Sequence, residues 1–297
     1  MMSRRLSYSP IIDEALAQKE MGICLINCFF GQRPAGLSFV LDAFAQNTTV
    51  NFLLFSDCIS PNDTPDNITV IPSTLTDIRK LAAAKLGLPV HITHPYKLCD
   101  FYAAYGKIFE DYLVPFSFWG TVDLDVLLGH IPTFITSGLL NNHDVISGHE
   151  DYVAGHFTLY RNTPAITTLY SQSHDVERVF LAEKHMGFEE CGQRWMEFRK
   201  RKKLAYSKSK IDSITHVLRR LAKKNQARVS FNPFVRERTL LHNTHWLLAW
   251  QNGHLYDVVD DQEILYFHFH MMQPGFRIPD WTSLPDTFYI NKHGFFI

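Results

Sequence analysis

The apolar positions of this chain fall into blocks, and the spacing within each block names an element. Residues 22–31 are almost continuously apolar and close on a glycine, the pattern of a strand buried on both faces. A loop through Pro34 follows, then helical spacing over about 36–46. Residues 50–57 predict a second buried strand, 68–71 a short third, and 76–86 a helix with Asp77 near its start and Gly87 past its end. The apolar set Leu98, Phe101, Tyr105, Ile108, Phe109 and Tyr112 predicts another helix over about 97–113. It leads into an apolar strand from 118 that ends in two carboxylates. Buried strands alternating with helices imply an α/β fold with a mixed, mainly parallel central sheet flanked by helices.

The second half is less regular. Residues 144–147 and 157–160 read as short strands, 164–184 and 211–224 as helical. Asn252-Gly253, set between apolar runs over 240–257, signals a hairpin. A last strand is expected over 263–270. There is no internal repeat, and 297 residues suit one large domain.

Within this pattern one polar interruption stands out. Asp123 and Asp125 interrupt the apolar block formed by Phe118, Trp119, Val122, Leu124, Val126 and Leu127. Nineteen Asp in 297 residues would place about one Asp-x-Asp by chance, so the weight lies in the setting. On a strand, residues i and i+2 face the same side, which lets both carboxylates converge on one cation. Hard oxygen ligands suit Mg²⁺ or Mn²⁺, and strand ends of open α/β sheets are where ligands bind.

Composition adds three points. Hydrophobic residues make up 46% and charged residues 20%, so a sizeable core is available. The formal net charge of −1 hides 13 Lys and Arg against Glu197 and Asp212 between 194 and 228. Such a block suits an anionic partner: a membrane surface, a phosphorylated acceptor or nucleic acid. The five Cys are odd in number and match no zinc spacing, which predicts free thiols in a reducing compartment. The first 20 residues carry Arg4 and Arg5 but no apolar leader, and no apolar run is long enough to span a bilayer. The expected location is cytoplasmic, peripheral at the inner face of the membrane.

Five motifs in order carry a resemblance: Phe29-Phe30-Gly31-x-x-Pro34; Phe52 to Asp57; Tyr96-Lys97-Leu98-Cys99-Asp100-Phe101 with Tyr105-Gly106; Phe118-Trp119-Gly120 with Asp123-Leu124-Asp125; and Gly155 to Asn162. The series resembles a little-characterised bacterial family of predicted glycosyltransferases of the GT-A fold, found among polysaccharide-building proteins. It covers about residues 22–165, with a weaker echo at His268. The resemblance implies a nucleotide-diphosphate sugar as donor, Mn²⁺ or Mg²⁺ as cofactor, and a cell-surface or lipid-linked glycan as acceptor, with no nucleic acid. It divides the single domain into a nucleotide-binding half over 22–130 and an acceptor half over 131–297.

Residue roles follow from the two readings together. Asp125 is expected to bind the cation, and Asp123 the cation's water or the donor ribose. His268 is the expected third ligand. His270 shares its face, and the family's His-Phe-Gln is here His-Phe-His. Phe30, Gly31 and Arg33 of the first loop, Asp57 at the end of the second strand, and Lys97 and Asp100 are expected around the nucleotide. Glu150 and Asp151, with Asp144, are candidates for the base of an inverting transfer. Arg161 suits either a phosphate or a fold-stabilising contact. His143, His149 and His156 are spaced by six and seven residues, which matches no zinc pattern. Two rival functions share these residues: a nucleotidyltransferase, whose Gly-rich loop is thin here, and a non-catalytic nucleotide or carbohydrate binder.

Overall fold

Strand β1 (Ile23–Phe29) sends alternate side chains into two separate apolar masses. Ile23 and Leu25 pack with Phe39, Val40 and Phe44 of helix α1 (Leu37–Ala45). Cys24, Ile26 and Cys28 pack on the opposite face with Ile78, Phe101 and Tyr105. This two-sided burial is why the strand is apolar at nearly every position. The structure, a computed structural model, describes residues 22–61, 64–194, 196–197, 200, 202, 209–231, 235–237, 245–269 and 275–297.

Strands β2 (Val50–Ser56) and β3 (Ile68–Pro72) extend the sheet on one side of β1, and β4 (Phe118–Val122) joins it on the other, all parallel. Helix α2 (Leu75–Leu86) starts at Thr74, whose hydroxyl and Asp77's carboxylate cap each other's backbone N–H, and ends at left-handed Gly87. Strand β5 (Val126–Leu128) leaves this sheet, while β6 (Val145–Ser147) and β7 (Phe157–Arg161) return to it. Helix α3 (Ile214–Lys223) precedes the edge strand β8 (Val229–Phe231). The central sheet runs β3-β2-β1-β4-β7-β6-β8, antiparallel only at β4–β7 and β7–β6. The expected mainly parallel α/β architecture is present.

Two smaller sheets sit outside the central one. One is β5 with β13 (Tyr266–His268) and β9 (Val235–Glu237). The other is antiparallel, in the order β12 (Gln262–Ile264), β11 (His254–Asp257), β10 (Leu248–Gln251), β14 (Thr287–Asn291), β15 (Gly294–Phe296). The β10–β11 hairpin turns at Asn252-Gly253, both at positive φ, as a tight two-residue turn requires.

Several elements differ from the sequence expectation. The helix over 97–113 is a 3₁₀ segment (Pro95–Ala104), one α turn (Tyr105–Ile108) and a second 3₁₀ turn (Glu110–Tyr112). Tight 3₁₀ winding aligns residues three apart, and it joins Lys97 to Asp100 in a fully buried ion pair. The helix over 164–184 is likewise three short pieces: Pro164–Thr167, Leu169–Gln172 and Val176–Leu181. The strand over 263–270 is cut at Leu265, where the chain passes from one small sheet to the other. Residues 1–20, 203–208, 240–244 and His270 lie outside the described residues. None of the five cysteines forms a disulfide.

Candidate functional site

The apolar run over 118–128 breaks where the carboxylates stand. Strand β4 ends at Val122, and Asp123-Leu124-Asp125 forms a turn closed by a hydrogen bond from Val126 N to Asp123 O (3.3 Å). The chain then enters β5 in another sheet. Asp123 and Asp125 are therefore on a turn between two sheets, and not on a strand. They still converge, because β5 pairs with β13 in a register that sets Val126 opposite His268. Phe269 N bonds Asp125 O at 3.0 Å, and His268 Nε2 lies 3.4 Å from Asp125 Oδ1. One ligand atom from each of Asp123, Asp125 and His268 lies within 4.8 Å of the others.

The surroundings make this an electron-rich centre. The Tyr102 hydroxyl donates to Asp123 Oδ1 at 2.7 Å. Burial, then the charge of Asp125, push the Asp123 carboxyl well above the ordinary carboxylate range. The Tyr102 bond and the charge of His268 oppose that rise, and the charge of Glu189 adds to it. Two carboxylates crowded in this way resist ionising together unless a cation stands between them. Two oxygens and one imidazole nitrogen are a fitting donor set for Mn²⁺ or Mg²⁺. Behind His268, the His156 ring stacks at 3.9 Å between centroids, and the Tyr266 hydroxyl and His156 Nε2 are 2.9 Å apart.

The first loop lies beside this centre. β1 and β4 are neighbours, and Asn27 Nδ2 donates to Val122 O at 2.8 Å. The connections leave β1 toward β2 on one side and reach β4 on the other, so the loop after β1 opens at the switch point of the sheet. Gly31 has φ +105°, and among the described residues no atom lies within 4 Å of where a Cβ would stand, which leaves its backbone approachable. Its N–H donates to Asp57 Oδ1 at 2.8 Å. Phe30 is buried in the core beneath, and Arg33 reaches Ser38 Oγ at 3.3 Å. Phe30, Gly31, Arg33 and Asp57 are thus brought to one loop cluster.

Other expected site residues are placed elsewhere. Lys97 Nζ donates to Asp100 Oδ2 (2.7 Å), Val179 O (2.8 Å) and Lys184 O (3.1 Å), which uses all three of its protons. Asp100 also accepts from Met186 N and Phe188 N. This pair fastens the 179–188 segment to the 3₁₀ helix, and neither side chain has exposure to offer a nucleotide. Arg219 holds Asp151, and Glu150 is exposed. Arg228 first, then Arg161, hold the Asp144 carboxyl down to about 2, so it is spent in ion pairs. Arg161 also donates to Leu140 O and to His143 O and lies over the Phe118 ring, a fold-stabilising set of contacts. His143 and His149 flank opposite ends of β6, so the three histidines do not assemble around one ion.

Sequence reasoning missed Tyr102, Tyr266, His185, Glu189 and Glu190. Glu190 Oε1 accepts from Gly155 N (3.2 Å) and lies 3.9 Å from His156 Nδ1. Glu189 Oε1 is 2.9 Å from His185 Nε2. Gly155 is what admits this pair: a Cβ there would stand 2.7 Å from Glu189 Cγ. Nothing in the local pattern around Glu189 signals the contact, which depends on the long return from β7 to α3.

The model of a family of unknown function, DUF6625, matches residues 25–296. No curated protein matches the chain. Among solved structures, the crystal structure of the galactosyltransferase LgtC in complex with donor and acceptor sugar analogs is similar at 13% identity and a TM-score of 0.39. That match covers 86% of this chain and 88% of the other. The likeness is too slight for any residue correspondence.

Proposed function

This chain belongs to the family of unknown function DUF6625, and we propose that it is a metal-dependent glycosyltransferase of GT-A type. It would move a sugar from a nucleotide-diphosphate donor to a cell-surface or lipid-linked glycan. One observation carries the reading: Asp123, Asp125 and His268 converge at the switch point of a mainly parallel sheet, beside the open Gly31 loop.

In this reading Asp125 and His268 hold Mn²⁺ or Mg²⁺, and Tyr102 orients Asp123 by its hydrogen bond. A cation held there would supply positive charge to stabilise a departing nucleoside diphosphate. Gly31 lets the nucleotide approach the backbone, and Asp57 keeps that loop in place. Asp144 and Asp151 are held by arginines, and Glu190, 3.9 Å from the His156 ring that stacks on His268, joins Glu150 as a candidate base. A lipid-linked acceptor on an anionic membrane would meet those cations of the 194–228 block not already paired inside the fold.

The test is a thermal-shift panel of UDP, GDP, CDP and ADP, each with and without Mn²⁺. Binding to the native state raises the melting temperature. The expected result is a shift with one nucleotide, only with Mn²⁺, and lost in Asp125→Ala. A shift that persists in Asp125→Ala overturns the metal assignment. The absence of any shift overturns the nucleotide-donor reading.

A further inference from the structure

Gly155 and His156 open the fifth sequence motif, and the proposed function gives His156 no task of its own. Its side chain is only 4% exposed, so it presents almost no surface to a substrate. What it touches is the metal centre, from two directions. Its carbonyl accepts from Asp123 N at 3.2 Å, one step beyond the Val122–Phe157 pair that ends the β4–β7 ladder. Its ring lies over that of His268, with centroids 3.9 Å apart and planes tilted by 23°. Asp123 follows the central sheet, and His268 belongs to the small sheet of β5, β13 and β9. His156 therefore joins two candidate ligands that arrive on different sheets.

The His156 ring is itself held. Tyr266 and His268 are i and i+2 on β13 and face the same side of it. His156 spans the pair: it stacks on His268, and its Nε2 lies 2.9 Å from the Tyr266 hydroxyl. The His149 ring meets it edge-on at 5.6 Å. The preceding peptide is fastened too. Thr121 Oγ1 donates to Gly155 O at 2.7 Å, and Gly155 N donates to Glu190 Oε1 at 3.2 Å.

A ligating imidazole must aim one nitrogen, yet rotation of the ring about χ2 is soft. Strand register fixes where His268 starts and leaves that rotation open. A flat ring packed on one face of the imidazole closes it, and Nε2 stays 3.4 Å from Asp125 Oδ1. The ordering is then completed on folding and is not charged against ion binding.

We propose that His156 is a positioning residue of the metal centre. Its ring orients His268 and its carbonyl holds the Asp123 turn, while it makes no contact with the cation. This rests on the metal reading under the proposed function.

The experiment is titration calorimetry with Mn²⁺ on wild type, His156→Leu, His156→Phe and Tyr266→Phe, with a urea midpoint for each. Leucine fills the space without a flat ring, and phenylalanine restores one. The expected result is at least about a tenfold loss of Mn²⁺ affinity in His156→Leu and recovery to within about threefold of wild type in His156→Phe. A residue that only fills the core would lower the urea midpoint without this dependence on a flat ring. Unchanged affinity in His156→Leu overturns the proposal, as does His156→Phe binding as weakly as His156→Leu. If His156→Leu fails to fold, Tyr266→Phe decides, since it removes one hydroxyl and releases the stacked ring. A loss of about threefold or more there supports the proposal, and no loss overturns it. If wild type binds no Mn²⁺, the metal reading falls and takes this proposal with it.

Discussion

At the scale of single residues, the chemistry turns on which polar groups are already satisfied. Lys97 looked like a phosphate ligand because it is a cation one helical turn from a carboxylate. The structure gives its three protons to Asp100 and two carbonyls, and the pair then works as a fastening. Lys97→Ala leaves Asp100 buried against backbone donors only. It should cost about 3–5 kcal/mol, read as a fall in the urea midpoint. A loss below about 1 kcal/mol would show that the pair contributes little. Tyr102 is the opposite case, a residue with no motif of its own that orients Asp123. Tyr102→Phe should weaken Mn²⁺ binding by about 10–100-fold, as loss of a partner behind a ligand commonly does. Titration calorimetry with Mn²⁺ checks it, and an unchanged affinity removes Tyr102 from the site.

At the scale of elements, close approach decides what can be substituted. Gly120 sits within β4, and a Cβ there would strike the Thr158 carbonyl of the paired β7 and Leu25 of β1. The backbone cannot yield as a side chain does, so Gly120→Ala should destabilise by about 1–3 kcal/mol or more. It should also displace the Asp123 turn that follows the strand. A folded Gly120→Ala protein with wild-type urea midpoint would show that β4 and β7 have slack. The capping box of α2 is a milder case. Thr74→Ala removes the hydroxyl that accepts from Asp77 N and should cost about 1 kcal/mol by the same measurement. The expected long helix over 97–113 was misjudged for a related reason. Its aromatic spacing is real, but a buried ion pair three residues apart and packing on both neighbours favour 3₁₀ winding over an α-helix.

At the scale of the whole molecule, two titrations bound the range of pH over which the fold is most stable. His185 is pulled down by burial, but the charges of Glu189 and Asp100 outweigh that and raise it from 6.5 to about 9. Its contribution is complete below pH 6.5 and is lost as pH rises through about 9. Asp144, held by Arg228 and Arg161, is depressed from 3.8 to about 2. Its contribution is complete above pH 3.8 and is lost as pH falls toward 2. Urea unfolding across pH should therefore decline on both sides, and His185→Gln should flatten the alkaline limb alone. An alkaline limb unchanged in that variant would assign it to another group. Arg219, Arg220 and Arg228 pair with Asp151, Asp212 and Asp144, which reduces the basic block's free charge. Among the described residues, no helix is long and apolar enough to cross a membrane.

Much of this was legible in the chain. Apolar runs buried on both faces specify a parallel α/β sheet, because only strands covered from both sides need side chains of that kind at every position. The Asp123–Asp125 pair was legible for the same reason, as polarity that appears abruptly where burial ends. What tertiary structure decided was pairing across distance: the turn that carries the chain out of one sheet into another, the β5–β13 register that brings His268 to Asp125, and the return of Glu189 to Gly155. Local pattern reports how a residue is buried. It does not report against what, since that partner is set by contacts distant in the sequence.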